Sequence, residues 1–467
     1  MNPTRPVQNH KLWATVALLA TASRADAHAS EQSLVLLLPT DIYTGAGVAV
    51  VALTVVLVSV LPAGPLMRLF TPLPLTRRSV AKIRPTTSIL AALFLGLMIW
   101  AGLTGSRDPL ANPMPLFIWT VFWIGFVTVQ GLIGDLWAYL NPFTGPLSLI
   151  RRVFGPQTYP RLPPELGHGL GIVAFLAFAY VLLADPAPSD PARLARYAAT
   201  YWLFTMIMAL IHGPRWLRRA EGFTVMFNAY ARLAMFGRHR GSLCLGLPGW
   251  QVLARRPPLL GPALMMILLL GTGSFDGLNE TFWWLGLIGI NPLEFPGRSA
   301  VIWQSGLGLL IANALLVAVL ILMTALGIRL IKERVSILQG LRLFAPSILP
   351  IAMGYHIAHY LTSFLVDGQY TLVALSDPFL TGADYLGLGQ FYVSTGFFTS
   401  TDTVRTIFLT EAGAVVVGHV LAVMLAHAIA LRTFGSNRRA TISQAPLALF
   451  MIGYTLFGLW LLASPRF

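Results

Sequence analysis

Residues 353–366 read MGYHIAHYLTSFLV, an apolar run that carries two imidazoles, His356 and His359. Three positions apart on a helix, they share one face, about 60° apart in projection. A second apolar run, GHVLAVMLAHAIAL at 418–431, carries His419 and His427. Eight positions separate these two, about 80° in projection and about 12 Å along a helix axis. Counted from the outer ends of the two runs, His356, His359 and His419 are expected to converge in the outer half of a bundle, with His427 nearer the inner side. Imidazole is the commonest metal ligand, and the thioethers of Met353 and Met424, a turn from His356 and His427, favour soft Cu(I). Imidazoles on facing helices can equally grip a b-type haem from both sides. Tyr355 and Tyr360 flank the first pair and are placed to orient a ring as outer partners. The bland alternative is a neutral histidine used as interhelical glue.

Two other places hold ligand-type groups. Ala25-Asp26-Ala27 follows a short apolar stretch preceded by Arg5 and Lys11, which reads as a secretory signal over residues 1–27. Cleavage after Ala27 would expose His28, whose free amine and ring form a potential copper ligand. The stretch SFDGLNE brings Asp276, Asn279 and Glu280 together at the outer end of an apolar segment. Oxygen ligands for a cation can be built from such a set, and so can a capped helix end with a turn.

These residues require a membrane scaffold to position them. The chain has 467 residues, 56% hydrophobic and only 11% charged, with mean hydropathy +0.70. Soluble domains carry about 25% charged residues. The fold class expected is all-α, a polytopic transmembrane bundle of about ten spans behind an N-terminal signal segment. The spans read from apolar windows are 43–63, 88–105, 114–134, 168–184, 196–212, 259–273, 301–328, 346–366, 412–432 and 445–463. No Asp or Glu falls inside any of these windows. Residues 28–467 read as a single helical domain, with a cytoplasmic interfacial segment at 213–257 and a long outer loop at 367–411. In the former, residues 222–236 suit a helix lying in the membrane interface or packed on the bundle. Trp137 and Tyr139 read as interfacial aromatics.

The formal net charge of +14 is a topology signal rather than a nucleic-acid footprint, and no nucleic-acid partner is expected. About 23 of the 32 Lys and Arg residues fall in loops on one side, among them Arg77, Arg151, Arg218, Arg256, Arg334 and Arg439. Most carboxylates fall on the other. The positive-inside rule then places the mature N-terminus and the C-terminus outside a bacterial inner membrane. The single cysteine, Cys244, excludes an internal disulfide and any CxxC site. No Walker loop, nucleotide-binding fingerprint, kinase set or GxSxG elbow is present, so nothing marks the chain as an enzyme. No internal repeat supports an inverted-repeat transporter.

Three stretches, LVLLLPTDIY (34–43), NPF (141–143) and SFDG (274–277), resemble those of an uncharacterised group of bacterial polytopic membrane proteins. The resemblance implies a bacterial inner membrane and no particular activity. The reading of the residues is therefore threefold. The first is a protein that binds copper or haem b through intramembrane histidines and serves metal delivery or electron transfer. The second is a small-molecule or ion transporter with a histidine-lined pathway. The third is a structural or assembly subunit. The expected surroundings are the lipid bilayer and periplasmic or membrane protein partners.

Overall fold

A computed structural model describes residues 37–77, 81–155 and 166–466, with Val35, Pro160, Leu162 and Pro163. The signal segment and His28 lie outside the described residues. The described chain is helical apart from three short strands. Its long helices are α1 (Thr40–Val60), α2 (Arg84–Thr104), α3 (Pro113–Leu132), α4 (Gly169–Leu183) and α5 (Pro191–His212). After the short α6 (Gly222–Tyr230) come α7 (Leu260–Asn279), α8 (Ile302–Leu330), α9 (Leu349–Ser376), α10 (Thr401–Phe434) and α11 (Asn437–Ala463). Among the described residues nine helical segments are long and apolar enough to cross a membrane, and α4 is a shorter apolar helix. Each overlaps one of the apolar windows read from the sequence.

Burial sorts these helices into a centre and a wall. In α7 and in the segment holding α9, 72% of the most apolar window is buried, and in α10 67%. The corresponding share is 17% in α1 and 33% in α8. The exposed sides of the wall helices are nonetheless apolar, with Leu53 and Val56 on α1 and Leu307 and Leu315 on α8. A water-soluble protein does not leave such continuous apolar surface uncovered. At the centre α9 and α10 cross at Gly354 and Gly418. A Cβ at Gly354 would lie 2.5 Å from the Ala414 carbonyl oxygen, and one at Gly418 2.6 Å from that of Pro350. Without side chains at this point the two backbones touch, the small-residue packing that helices use where no water drives them together.

The helices run further than the apolar windows do. Helix α7 continues through Asp276 to Asn279, α9 reaches Ser376 and α10 begins at Thr401. The outer loop expected at 367–411 shrinks to residues 377–400. Its turns are tied by two carboxylates. Asp377 accepts from the Thr381 and Gly382 N–H groups, and Asp384 from those of Leu388 and Gly389. These N–H groups hold both carboxyls below their usual range.

The segment 213–257 is folded into the bundle. Met226, Phe227 and Tyr230 of α6 are 2% exposed or less, so this helix packs inward instead of lying in an interface. Glu221 caps it by accepting from the Phe223 and Thr224 N–H groups at 2.9 and 2.6 Å. Trp137, read as an interfacial aromatic, is also buried, its ring centroid 4.7 Å from that of Phe227. The strands β1 (Leu73–Thr76), β2 (Phe236–His239) and β3 (Ser242–Leu245) form one antiparallel sheet, ordered β1-β3-β2. Leu245 pairs with both Leu73 and Phe236, so this sheet ties the α1–α2 link to the segment after α6.

Candidate functional site

Helix α3 carries the least regular backbone near the centre. Residues Phe117–Phe126 are wound as a π-helix, a form that is rare and recurs at functional sites. This segment packs on α9 and meets the first histidine. His356 is 5% exposed, its ring stands edge-on to Trp123 at 5.4 Å, and its Nε2 lies 3.4 Å from the Ile124 carbonyl oxygen.

One turn along, His359 faces α7. Its Nε2 lies 3.2 Å from Asp276 Oδ2, and the two side chains are 11% and 7% exposed. The Tyr360 hydroxyl donates to the same carboxylate oxygen. Asp276 is therefore a buried acid that holds two donors, both from α9.

The C-terminal tail closes this cluster. Thr281 and Arg466 form an antiparallel bridge, and the Phe282 N–H donates to the Pro465 carbonyl at 3.1 Å. Arg466 is thereby held with one guanidinium nitrogen 3.5 Å from His359 Nδ1 and 3.9 Å from Glu280 Oε2. A guanidinium can only donate. It therefore favours the tautomer in which Nδ1 accepts and Nε2–H donates to Asp276, a neutral imidazole beside a carboxylate.

A second polar seam runs beside the first. The Ser274 hydroxyl lies 2.6 Å from that of Tyr454 on α11. Tyr454 is in turn near two rings with unpartnered buried atoms, the Tyr355 hydroxyl and His419 Nε2. The other ring nitrogen of His419 bonds its own helix at the Val415 carbonyl, 2.8 Å away. Buried polar atoms without protein partners mark places for internal water or a transient ligand.

The structure thus divides the residues that the sequence put forward. His356, His359 and Tyr360 face α3 and α7, His419 and Tyr355 face α11, and His427 bonds Asn437 at 2.9 Å and also Gln444. Met353 packs against Gly131, and Met424 is half-buried in the core. Asn279 accepts from Ser305 at 3.0 Å, and Glu280 faces Arg466, so the outer set of Asp276, Asn279 and Glu280 is spread over separate partners. Among the described residues no three His, Cys, Asp or Glu side chains come together as a metal site.

The sequence reading missed the acids of the site. Asp276 was read at a helix end, and no carboxylate was expected inside a span. Asp276 does lie in the last turn of α7, but buried, and Glu411 corrects the expectation, since it lies within α10, 9% exposed and accepting from Thr362 of α9 at 2.8 Å. A hydropathy window stops at the first polar cluster, whereas a helix continues wherever its polar side chains find partners on neighbouring helices.

These observations define an all-helical protein with several helices able to cross a membrane and a buried carboxylate–imidazole–phenol cluster among them. No protein-family model matches the chain, and no curated protein or solved structure matches it.

Proposed function

We propose that the chain is a proton-coupled transporter of a bacterial inner membrane, in which Asp276 and His359 form the proton-binding site. About ten spans, with the mature N-terminus and the C-terminus outside, suit the distribution of basic loops. The observation that carries this reading is the 3.2 Å contact between Asp276 Oδ2 and His359 Nε2 in a buried setting. Ionisable groups inside membrane bundles are costly, and proton pathways are where they recur. The contact also supplies a coupling device. Ionised Asp276 binds His359 and Tyr360 and so ties α7 to α9. Protonation removes the charge that holds the two donors and releases that tie, so proton occupancy biases the relative position of two central helices. The unpartnered Tyr355 and His419 atoms along the adjacent seam suit a water-assisted route between the cluster and the interior. His427 favours the glue reading for itself alone, because both of its ring nitrogens have partners.

The test is solute-dependent proton movement in energised inside-out membrane vesicles. A pH-sensitive dye is followed while a panel of amines, organic acids, sugars and inorganic ions is added. Wild-type vesicles are expected to give a proton flux with at least one solute class, and Asp276→Asn vesicles with equal protein content none. A flux that survives Asp276→Asn, or a folded wild type silent across the panel, would refute the proposal.

A further inference from the structure

We infer that a second site lies in the wall of the bundle and takes one anionic phospholipid from the surrounding bilayer. This inference stands independently of the proton site. Between α2, α3, α4 and α5, with α6 at one end, the structure forms a half-open cavity of about 1320 Å³. That exceeds the about 300–1,000 Å³ of an ordinary small-molecule pocket. Its wall is largely aromatic and aliphatic, with Phe94, Phe122, Phe178, Phe204 and Phe223 contributed by five different helices. It opens sideways, since Leu90, Val173 and Phe204 line it while remaining 59%, 63% and 53% exposed. An apolar void of this size, open between membrane-crossing helices, is filled by acyl chains, because neither water nor vacuum is stable there.

The headgroup class follows from the charges at one end. Arg193, Arg196 and Tyr197, from the first turns of α5, line the cavity there. Arg193 is already engaged, its guanidinium bonding Asp185 Oδ2 at 3.0 and 2.8 Å. Tyr197 donates to the same oxygen at 2.9 Å. Arg107 pairs with Asp190. Arg196 donates to the Ala192 carbonyl of its own helix at 3.2 Å, and among the described residues no carboxylate pairs with it. A guanidinium with free donors at the rim of an apolar slot complements a phosphate ester whose chains enter the slot. The occupant is therefore a two-chain phospholipid with net negative charge, its phosphate on Arg196 and its chains along α2 and α5.

The experiment is native mass spectrometry of the full chain, delipidated in detergent and titrated with phosphatidylglycerol, with phosphatidylcholine or with oleate. Wild type is expected to retain one phosphatidylglycerol at collision energies that strip phosphatidylcholine. Arg196→Gln should weaken phosphatidylglycerol about tenfold and abolish that preference, which is the loss of one charge-assisted contact. Ala177→Trp, which fills the slot from α4, should lose retention of both phospholipids while its melting temperature stays at the wild-type value. Should Ala177→Trp fail to fold, photo-crosslinking of wild type with benzophenone-bearing phosphatidylglycerol replaces it, and peptides of α2 and α5 should carry the label. Equal stripping of both phospholipids, a folded Ala177→Trp protein that still retains phosphatidylglycerol, labels scattered over all exposed helices, or oleate displacing phosphatidylglycerol one for one would each overturn the inference.

Discussion

Removing the Asp276 carboxylate should cost more than an ordinary hydrogen bond, and the amount reports the protonation state of His359. In Asp276→Ala the imidazole and the Tyr360 hydroxyl both lose their acceptor in a buried setting. Leaving each of these buried neutral donors without its acceptor costs about 1–3 kcal/mol. A double-mutant cycle with His359→Ala then isolates the pair itself. Two unit charges 3.2 Å apart at an effective dielectric constant of about 20 would couple by about 5 kcal/mol. A neutral imidazole donating to a carboxylate is worth about 1.5–3 kcal/mol. Arg466, 3.5 Å from Nδ1, opposes a second ring proton on that side, so the lower range is expected. The measurement is unfolding free energy by steric trapping in lipid bicelles at neutral pH, for wild type, both single variants and the double variant. A coupling near 5 kcal/mol would mean an imidazolium and refute the assigned tautomer. A coupling below about 0.5 kcal/mol would remove the contact as an energetic fact.

Three further outcomes are expected. Gly418→Leu should separate α9 from α10, because its side chain has only the Pro350 carbonyl to enter. The melting temperature in detergent should drop by an amount equivalent to at least about 1–3 kcal/mol, the usual cost of overpacking. Asp185 is pushed up by burial, but the Ala187 N–H, Arg193 and Tyr197 hold its carboxyl below the ordinary value of 3.8. A depressed carboxyl contributes stability above its unfolded value and loses it as pH falls through the folded one. Denaturation of wild type and Asp185→Asn should therefore differ by about 1–2 kcal/mol at pH 7, small because Arg193 is partly exposed, and converge below about pH 3.8. His427→Leu should cost about 1–3 kcal/mol through the orphaned Asn437 and Gln444 groups, seen in thermal unfolding, while solute-driven proton flux is unchanged.

The helices long and apolar enough to cross a membrane were legible because each overlaps a long apolar window, and this signal depends on composition alone. The histidines were legible as unusual residues in such windows, yet their partners were not. His356 and His359 sit three apart, but one meets the carbonyl of Ile124 and the other a carboxylate of Asp276, more than two hundred and about eighty positions away in sequence. Such pairings depend on which helices pack together, and a hydropathy pattern that is apolar on all sides does not encode a facing direction. The same limit hid Glu411 and left two readings open for α6, whose aromatics look alike whether they face lipid or a core. The π-winding at Phe117–Phe126 and the wide slot beside it leave no trace in a hydropathy pattern. Gly354 and Gly418 were visible as glycines, but their contact required both helices in place.

The most direct measurement of the central proposal is infrared difference spectroscopy of the protein in lipid as pH is lowered. The account predicts a carboxylic C=O stretch that appears on acidification, shifts in deuterated water and vanishes in a folded Asp276→Asn protein. A band unchanged in Asp276→Asn, or no such band in wild type over the pH range in which the protein stays folded, would contradict it.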